Sequence, residues 1–438
     1  MDTNRRQFIQ AGSAASILYK LTGPKPVLAA AGPNDQIGVG FIGVGIRGSY
    51  HVDSFSKMPG VQAIIAADCY EGHLAWAKEA TDGKIETTRE YKEVLNRKDV
   101  DAVVISTPDH WHTPLMLEAL DAGKHVFVEK PMTYTIAEGK QVIDAVHKSG
   151  KLLMVGSQDK TSAITAKAKE LVTSGILGKL SMARLGDYRN SPDGAWIYPV
   201  APDASPQTVD WNRWLGSAPK HPFDMTRFFR WRCWWEYSGG VATDLWVHRL
   251  TTLHEILGVQ APPETVAAQG GIFRFPDGRT CPDLLVGLME YPNFILEITA
   301  NLGSARRATE LLVAGSEASL SLTAKSVLVT FEPTPGPVGS YGLNGWPKDL
   351  KEQYLSSMGF GGGRRVPGST TRPPQEFPVE AGLDHNELFI KSLRDGTPSL
   401  ESAEEGHNAA TAAHLGNLAF RKGKKLRYDA QSFKVTEA

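Results

Sequence analysis

The sequence predicts an α/β protein in two parts: a doubly wound parallel sheet, then an α+β domain built on a large, mostly antiparallel sheet. Three observations predict it. From Gln36 to about Gly156, short apolar runs alternate with helical patterns. After Gly156, long strand patterns follow one another without intervening helices, which argues for antiparallel pairing. Finally, 438 residues exceed one ordinary core, so two domains are expected, at 35–156 and 157–438, behind a leader at 1–31.

The elements follow in order. Asn4-Arg5-Arg6-Gln7-Phe8-Ile9 resembles a twin-arginine export signal. A small-residue segment, Ala11 to Leu18, follows it, and Val27-Leu28-Ala29-Ala30-Ala31 offers small residues to a signal peptidase. Lys20 and Lys25 interrupt the apolar part, so a basic tail without a targeting role is the other reading. Strands are expected at 37–42, 62–67, 102–106, 124–128 and 152–155, with β-branched and apolar content that suits burial on both faces. Helices are expected at Glu71–Ala80, His112–Ala122 and Ile136–Ser149, with Gly123 and Gly150 as C-caps. Beyond Gly156 come a helix over Ala163–Ser174 and strands at 179–188, 263–274, 283–290, 294–301, 308–313 and 318–330. Tyr291-Pro292-Asn293 reads as a hairpin turn. Residues 333–376, dense in Pro and Gly around Gly361-Gly362-Gly363-Arg364-Arg365, predict a long loop, either a lid or an oligomer contact. Helices at His385–Arg394 and Ser402–Arg421 close the chain and are expected to pack back on the first domain.

Composition excludes several classes. The formal net charge is -1 and no run of like charges marks a nucleic-acid partner. No stretch reaches the roughly eighteen apolar residues of a membrane span. Cys69, Cys233 and Cys281 are too few and too scattered for a disulfide framework or a thiolate metal site, and read as small buried hydrophobes.

The run Ile37–Ile42 leads straight into Gly43-Val44-Gly45-Ile46-Arg47-Gly48, and Asp68 closes the next apolar run. Strand, glycine turn, helix, strand and acid are the wiring of a Rossmann dinucleotide site. Gly43 permits the tight turn, Gly45 lets the backbone approach a pyrophosphate, and Gly48 lets helix pack on strand. Ile46 and Arg47 complete the turn at a helix N-terminus whose free N–H groups suit phosphate. Asp68 accepts from ribose hydroxyls and repels a 2′-phosphate, so NAD is expected over NADP.

Three further clusters converge at the C-terminal edge of that sheet. They are Thr107-Pro108-Asp109-His110-Trp111-His112, Glu129-Lys130-Pro131, and Gly239-Gly240 running to Asp244 and His248. With the glycine fingerprint, this set resembles the Gfo/Idh/MocA family of sugar and polyol oxidoreductases over nearly all of the chain after the leader. The resemblance implies an N-terminal NAD(P) domain, a C-terminal sheet domain and a homodimer or homotetramer. It also implies a Lys-Asp-His catalytic group at Lys130, Asp244 and His248. The leader, Asp109-His110-Trp111-His112 and Trp211-Asn212-Arg213-Trp214-Leu215-Gly216 look like an exported branch, to which the NAD-dependent glycosidases of family 109 are related.

The chemistry also follows from the residues. Oxidising a secondary alcohol removes the hydroxyl proton while C–H leaves as hydride. His248 is the natural base, because imidazole titrates near neutrality. Asp244, four residues earlier, shares its helix face and can orient the ring or hold a neighbouring hydroxyl. Lys130 stabilises the developing alkoxide or shuttles the proton. Thr107, Pro108, His112, Glu129, Lys130 and Gln158 are assigned to the cofactor, with His112 packing against it and Gln158 beside the nicotinamide ribose; a cation partner for Glu129 alone is the other reading. His110 and His112 lack a supporting Cys or carboxylate pattern, so no metal is expected.

Residues 211–246 hold six of the ten tryptophans, among them Trp231, Trp234 and Trp235, with Phe228, Phe229 and Tyr237. Most are expected in the core and one or two facing a ligand. His110, Trp111, Tyr188, Arg232 and Trp246 are assigned to the substrate pocket. The family often has a small residue where this chain has Trp246, which is expected to narrow the pocket. The reading is an exported NAD-dependent oxidoreductase acting on a ring hydroxyl of a sugar, glycoside or cyclitol. A glycosidase or lyase using bound NAD transiently, and a sugar-binding protein retaining NAD structurally, are the alternatives.

Overall fold

A computed structural model of the chain describes residues 36–305, 310–339, 341–362 and 366–438. The leader, and the centre of the glycine-rich run at 363–365, lie outside the described residues.

The first sheet holds β1 (Ile37–Ile42), β2 (Val61–Ala67), β3 (Glu86–Thr88), β4 (Ala102–Ile105), β5 (His125–Glu129) and β6 (Leu153–Gly156). Its order is β3-β2-β1-β4-β5-β6 and every pairing is parallel. The order reverses between β1 and β4, the switch point that opens a crevice at the strands' carboxyl ends. β3 was not among the expected strands: Glu86-Thr87-Thr88 is short and polar, so it carries no apolar signal. The helix expected at 112 begins at Asp109, directly after Pro108.

The second sheet is ten-stranded, in the order β14-β13-β12-β11-β7-β10-β9-β8-β15-β16. Its strands are β7 (Leu180–Tyr188), β8 (Thr265–Gly271), β9 (Leu284–Tyr291), β10 (Phe294–Asn301), β11 (Glu310–Gly315), β12 (Ala318–Leu322), β13 (Ser326–Phe331), β14 (Gln375–Pro378), β15 (Leu426–Asp429) and β16 (Lys434–Glu437). It is antiparallel apart from β7 beside β10. Tyr291 faces Phe294 across Pro292-Asn293, the expected hairpin. The single run at 318–330 is two strands, because Thr323 folds back on Ser326: its N–H donates to Ser326 O at 2.9 Å, and its hydroxyl accepts the Ser326 N–H at 3.0 Å. The stretch 333–376 is also not all loop, since it carries a helix at Lys348–Ser357.

The two halves share packing. The inner face of the large sheet is covered by the helices Val247–Leu257 and Ala403–Lys422. The helix His385–Asp395 returns to the first sheet, where Phe389 packs edge-on against Phe127 at 5.4 Å and Phe55 at 6.3 Å. His385 Nε2 sits 2.7 Å from Val155 O, and Val155 N–H donates to Glu401 O at 3.1 Å. These contacts join the helix and Glu401 to the first sheet through an aromatic cluster and the backbone of β6.

Phe389 is fully buried. Phe389→Ala is expected to lower unfolding free energy by about 3–5 kcal/mol, read as an earlier midpoint in urea.

Candidate active site

The glycine turn is built as its sequence requires. Gly43 holds φ +86°, and a Cβ there would stand 2.8 Å from the carbonyl carbon and oxygen of Ser106. A Cβ on Gly48 would stand 2.0 Å from Gly43 O, whereas the space beside Gly45 is open to His73 Cε1 at 3.7 Å. The helix Ile46–Ser56 starts with no side-chain cap and no acid in its first turn, leaving its N–H groups for an anion. Asp68 Oδ2 accepts the Val44 N–H at 2.6 Å and Oδ1 the Tyr70 N–H at 2.9 Å, with His73 Nδ1 3.1 Å away. Burial alone would raise the Asp68 carboxyl; His73 and the two N–H groups outweigh it and hold it below its usual range.

Glu129 stands behind the turn. Its Oε1 accepts from Arg47 Nε and His51 Nε2, both at 2.7 Å, and from Gln158 Nε2 at 3.2 Å. Asn386 Nδ2 lies 3.1 Å from His51 Nδ1, which assigns the His51 proton to Nε2. Burial holds His51 below its usual pKa, so it sits there neutral. Glu129 is therefore an anchor for Arg47, and Gln158 braces that anchor. Sequence reasoning missed His51 and Asn386; Asn386 lies 335 residues from its partner and carries no local signal.

Lys130, at the end of β5, reaches across to the other half of the chain. Its Nζ donates to Asp244 Oδ1 at 2.8 Å and to Asp244 O at 2.9 Å. Arg232 Nε donates to the same Oδ1 at 2.9 Å and Trp196 Nε1 to Oδ2 at 3.2 Å. Burial would raise the Asp244 carboxyl; Lys130 and Arg232 overcome that and keep it ionised. His248 is half-buried, and its ring nitrogens carry no hydrogen bond among the described residues. Burial first, and then the charge of Lys130, hold it well below its usual pKa, so the imidazole is a neutral base. Asp244 and His248 do not share an α-helical face as expected. Ala242–Trp246 is a π turn leading into the helix Val247–Leu257, and its wider coil aims Asp244 at Lys130 and Arg232. Trp196, also missed, holds φ +61°, a left-handed backbone that bulky residues avoid.

A cavity of about 340 Å³ runs along the crevice. Its floor includes Gly43, Gly45, Ile46, Arg47, Asp68, Thr107 and Pro108. Its roof is a strap at 198–232 that contributes Tyr198, Trp214, Phe228, Phe229, Trp231 and Arg232. The strap is bound to the first sheet along its length. Tyr70 bridges Val209, and Tyr70 OH bonds Asp203. Asp210 N–H donates to Cys69 O at 2.8 Å, and Arg89 Nη2 to Gln207 O and Thr208 O at 3.1 Å. Trp111 Nε1 donates to Trp214 O at 2.7 Å.

Residues 37–157 match the Gfo/Idh/MocA oxidoreductase model for an NAD-binding Rossmann fold, and residues 206–427 match that family's C-terminal α/β domain. This chain is a Gfo/Idh/MocA family member. A glycosyl hydrolase family 109 protein of Shewanella baltica is 34% identical over 179 residues. An α-N-acetylgalactosaminidase of Shewanella oneidensis is 33% identical over 180 residues. The chain spans 38% of the first relative's length and 39% of the second's, and each match covers 38% of this chain. A levoglucosan dehydrogenase solved with NADH and levoglucosan superposes with a TM-score of 0.65 at 17% identity, covering 90% of this chain and 99% of that one.

Within this family member the expected site residues divide. Trp111 and Arg232 line the cavity, while His110 and His112 stand behind it. The two ring nitrogens of His112 face Pro131 O at 2.7 Å and Thr107 O at 3.0 Å, so it ties two loops together instead of lying against the cofactor space. His110 Nε2 faces Trp214 O at 3.2 Å. Trp246 does not narrow the pocket: it is fully buried, its ring wedged between Gly287 of β9 and Gly416. Tyr188 ends β7 beside Gly186 and does not line the cavity. No group of His, Cys, Asp and Glu among the described residues is arranged to hold a metal. The cradle that a Cβ would fill, the Asp68 acceptor and the orphaned, buried Arg47 Nη2 fit a dinucleotide. In Lys130→Met the charge beside His248 is lost, so its Cε1–H signal is expected to titrate at higher pH than in the parent protein by NMR.

Proposed function

We propose that this protein is an NAD-dependent oxidoreductase acting at a ring hydroxyl of a sugar, glycoside or cyclitol. The observation that carries the reading is the neutral His248 beside the Lys130–Asp244 pair, a group outside the cavity lining but tied by Arg232, which bonds Asp244, to the wall of a cavity whose floor suits a dinucleotide. His248 takes the hydroxyl proton. Lys130, held by Asp244, stabilises the oxygen as its charge develops, a contribution of about 3–5 kcal/mol when well placed. Asp244 is fixed from both sides and positions Lys130. Bound nicotinamide supplies the hydride acceptor. Asp68, ionised and facing the turn, favours NAD over NADP.

A second reading has its own support. The strap that roofs the cavity favours a dinucleotide retained through turnover, and the family 109 relatives carry glycosidase names. A redox-neutral glycosidase or lyase, in which each turnover restores the cofactor, fits those two facts. We further propose export by the twin-arginine route, supported by Arg5-Arg6, since that route carries folded, cofactor-loaded chains. Self-association as a homodimer or homotetramer is supported by Val286, Leu288 and Ile295, apolar and exposed on the outer face of the large sheet.

Purified protein tested on sugars and aryl glycosides separates the readings. Stoichiometric NADH supports the dehydrogenase, aglycone release without net NADH supports the glycosidase, and neither over a broad panel overturns both. His248→Ala is expected to lower kcat/KM by roughly 10²–10⁴. With NAD saturating, the parent profile is expected to stay level through the usual imidazole titration range, because His248 is held well below it. With Arg5→Lys and Arg6→Lys together, the protein is expected to remain in the cytoplasmic fraction.

A further inference from the structure

We infer that His73 competes with the adenosine ribose for Asp68, so that the preference between NAD and NADP depends on one proton. The inference rests on the dinucleotide reading above. A carboxylate offers about four acceptor positions. At Asp68, backbone N–H groups of Val44 and Tyr70 take two, and His73 Nδ1 lies 3.1 Å from Oδ1, within ion-pair reach but without a hydrogen bond's geometry, so it crowds the remaining positions on that oxygen. The two N–H groups are fixed by the fold. His73 alone of the three can rotate away. Its ring forms part of the cavity wall between Asp68 and Gly45, the residues expected to meet ribose and pyrophosphate. On its other sides it meets Tyr70 edge-on at 4.9 Å and the strap's Phe228 and Phe229, both at 6.3 Å.

The charged neighbours leave His73 as the group that changes. Glu71, on its own helix, is turned to Arg89 at 2.7 Å. Arg89 in turn is held by strap carbonyls. Burial pushes the Cys69 thiol up, and burial with the Asp203 hydrogen bond pushes the Tyr70 phenol up to about 12. Burial would lower His73, but Asp68 outweighs it and raises His73 above its usual value. A protonated His73 cancels the Asp68 charge and offers a cation to a 2′-phosphate. A neutral His73 leaves the carboxylate bare, and the phosphate is repelled. Ribose hydroxyls that displace His73 from Oδ1 remove its counter-charge, so NAD binding releases a proton. NAD affinity therefore rises with pH above 6.5 while NADP affinity falls.

Trp111, Trp214 and Trp231 line the cavity, so tryptophan fluorescence reports binding without turnover. Full-length protein, freed of bound dinucleotide with charcoal, is titrated to equilibrium with NAD and with NADP from pH 6.5 to 9. The Kd for NAD is expected to fall and that for NADP to rise, each by up to about tenfold per pH unit, the limit for one proton. His73→Gln is expected to flatten both curves. Parallel or flat curves in the parent protein overturn the inference, whether or not the variant folds. No fluorescence response to either dinucleotide at any pH overturns the dinucleotide reading instead.

Discussion

The carboxylate of Asp244 joins the two halves of the site. It accepts from Lys130 at the edge of the first sheet and from Arg232 in the strap, while its own backbone belongs to the π turn that leads into the helix carrying His248. Two cations on one buried carboxylate keep it ionised, and the ionised carboxylate keeps Lys130 in place. With Lys130 fixed, its charge adds to burial in keeping His248 neutral. Base, cation and orienting acid are thus one coupled unit.

The strap is the second organising feature. Its aromatic residues do what any large apolar side chain does: Trp211 and Trp214 stack at 4.8 Å, and Trp214 meets Tyr237 at 4.6 Å. Their placement across the mouth of the crevice converts core packing into a lid over the cofactor space. The polar ties beneath combine a backbone bridge at Tyr70 and Val209 with side-chain donors, Tyr70, Arg89 and Trp111, most of which bond to strap carbonyls.

Legibility of the site followed the distance between partners. The glycine turn and Asp68 were readable because turn geometry and helix N-termini are properties of adjacent residues. Lys130 and His248 were readable through their motifs, although the Lys130–Asp244 bond spans 114 residues. Asn386 behind His51 and Trp196 behind Asp244 were not, since each is an ordinary residue until the chain brings it to a distant partner. Trp246 was misread because its motif position suggests a pocket wall, whereas Gly287 and Gly416 open a slot for its ring in the core.

By itself the sequence determined the alternation of strand and helix, the parallel first sheet, the dinucleotide turn and its acid, because apolar period, glycine placement and capping act over a few residues. Only the tertiary structure decided what Asp244 faces, that Glu129 serves Arg47, and that the tryptophan-rich segment roofs the crevice. Those outcomes depend on a π turn that re-aims a side chain, and on contacts between segments that meet once both sheets have formed.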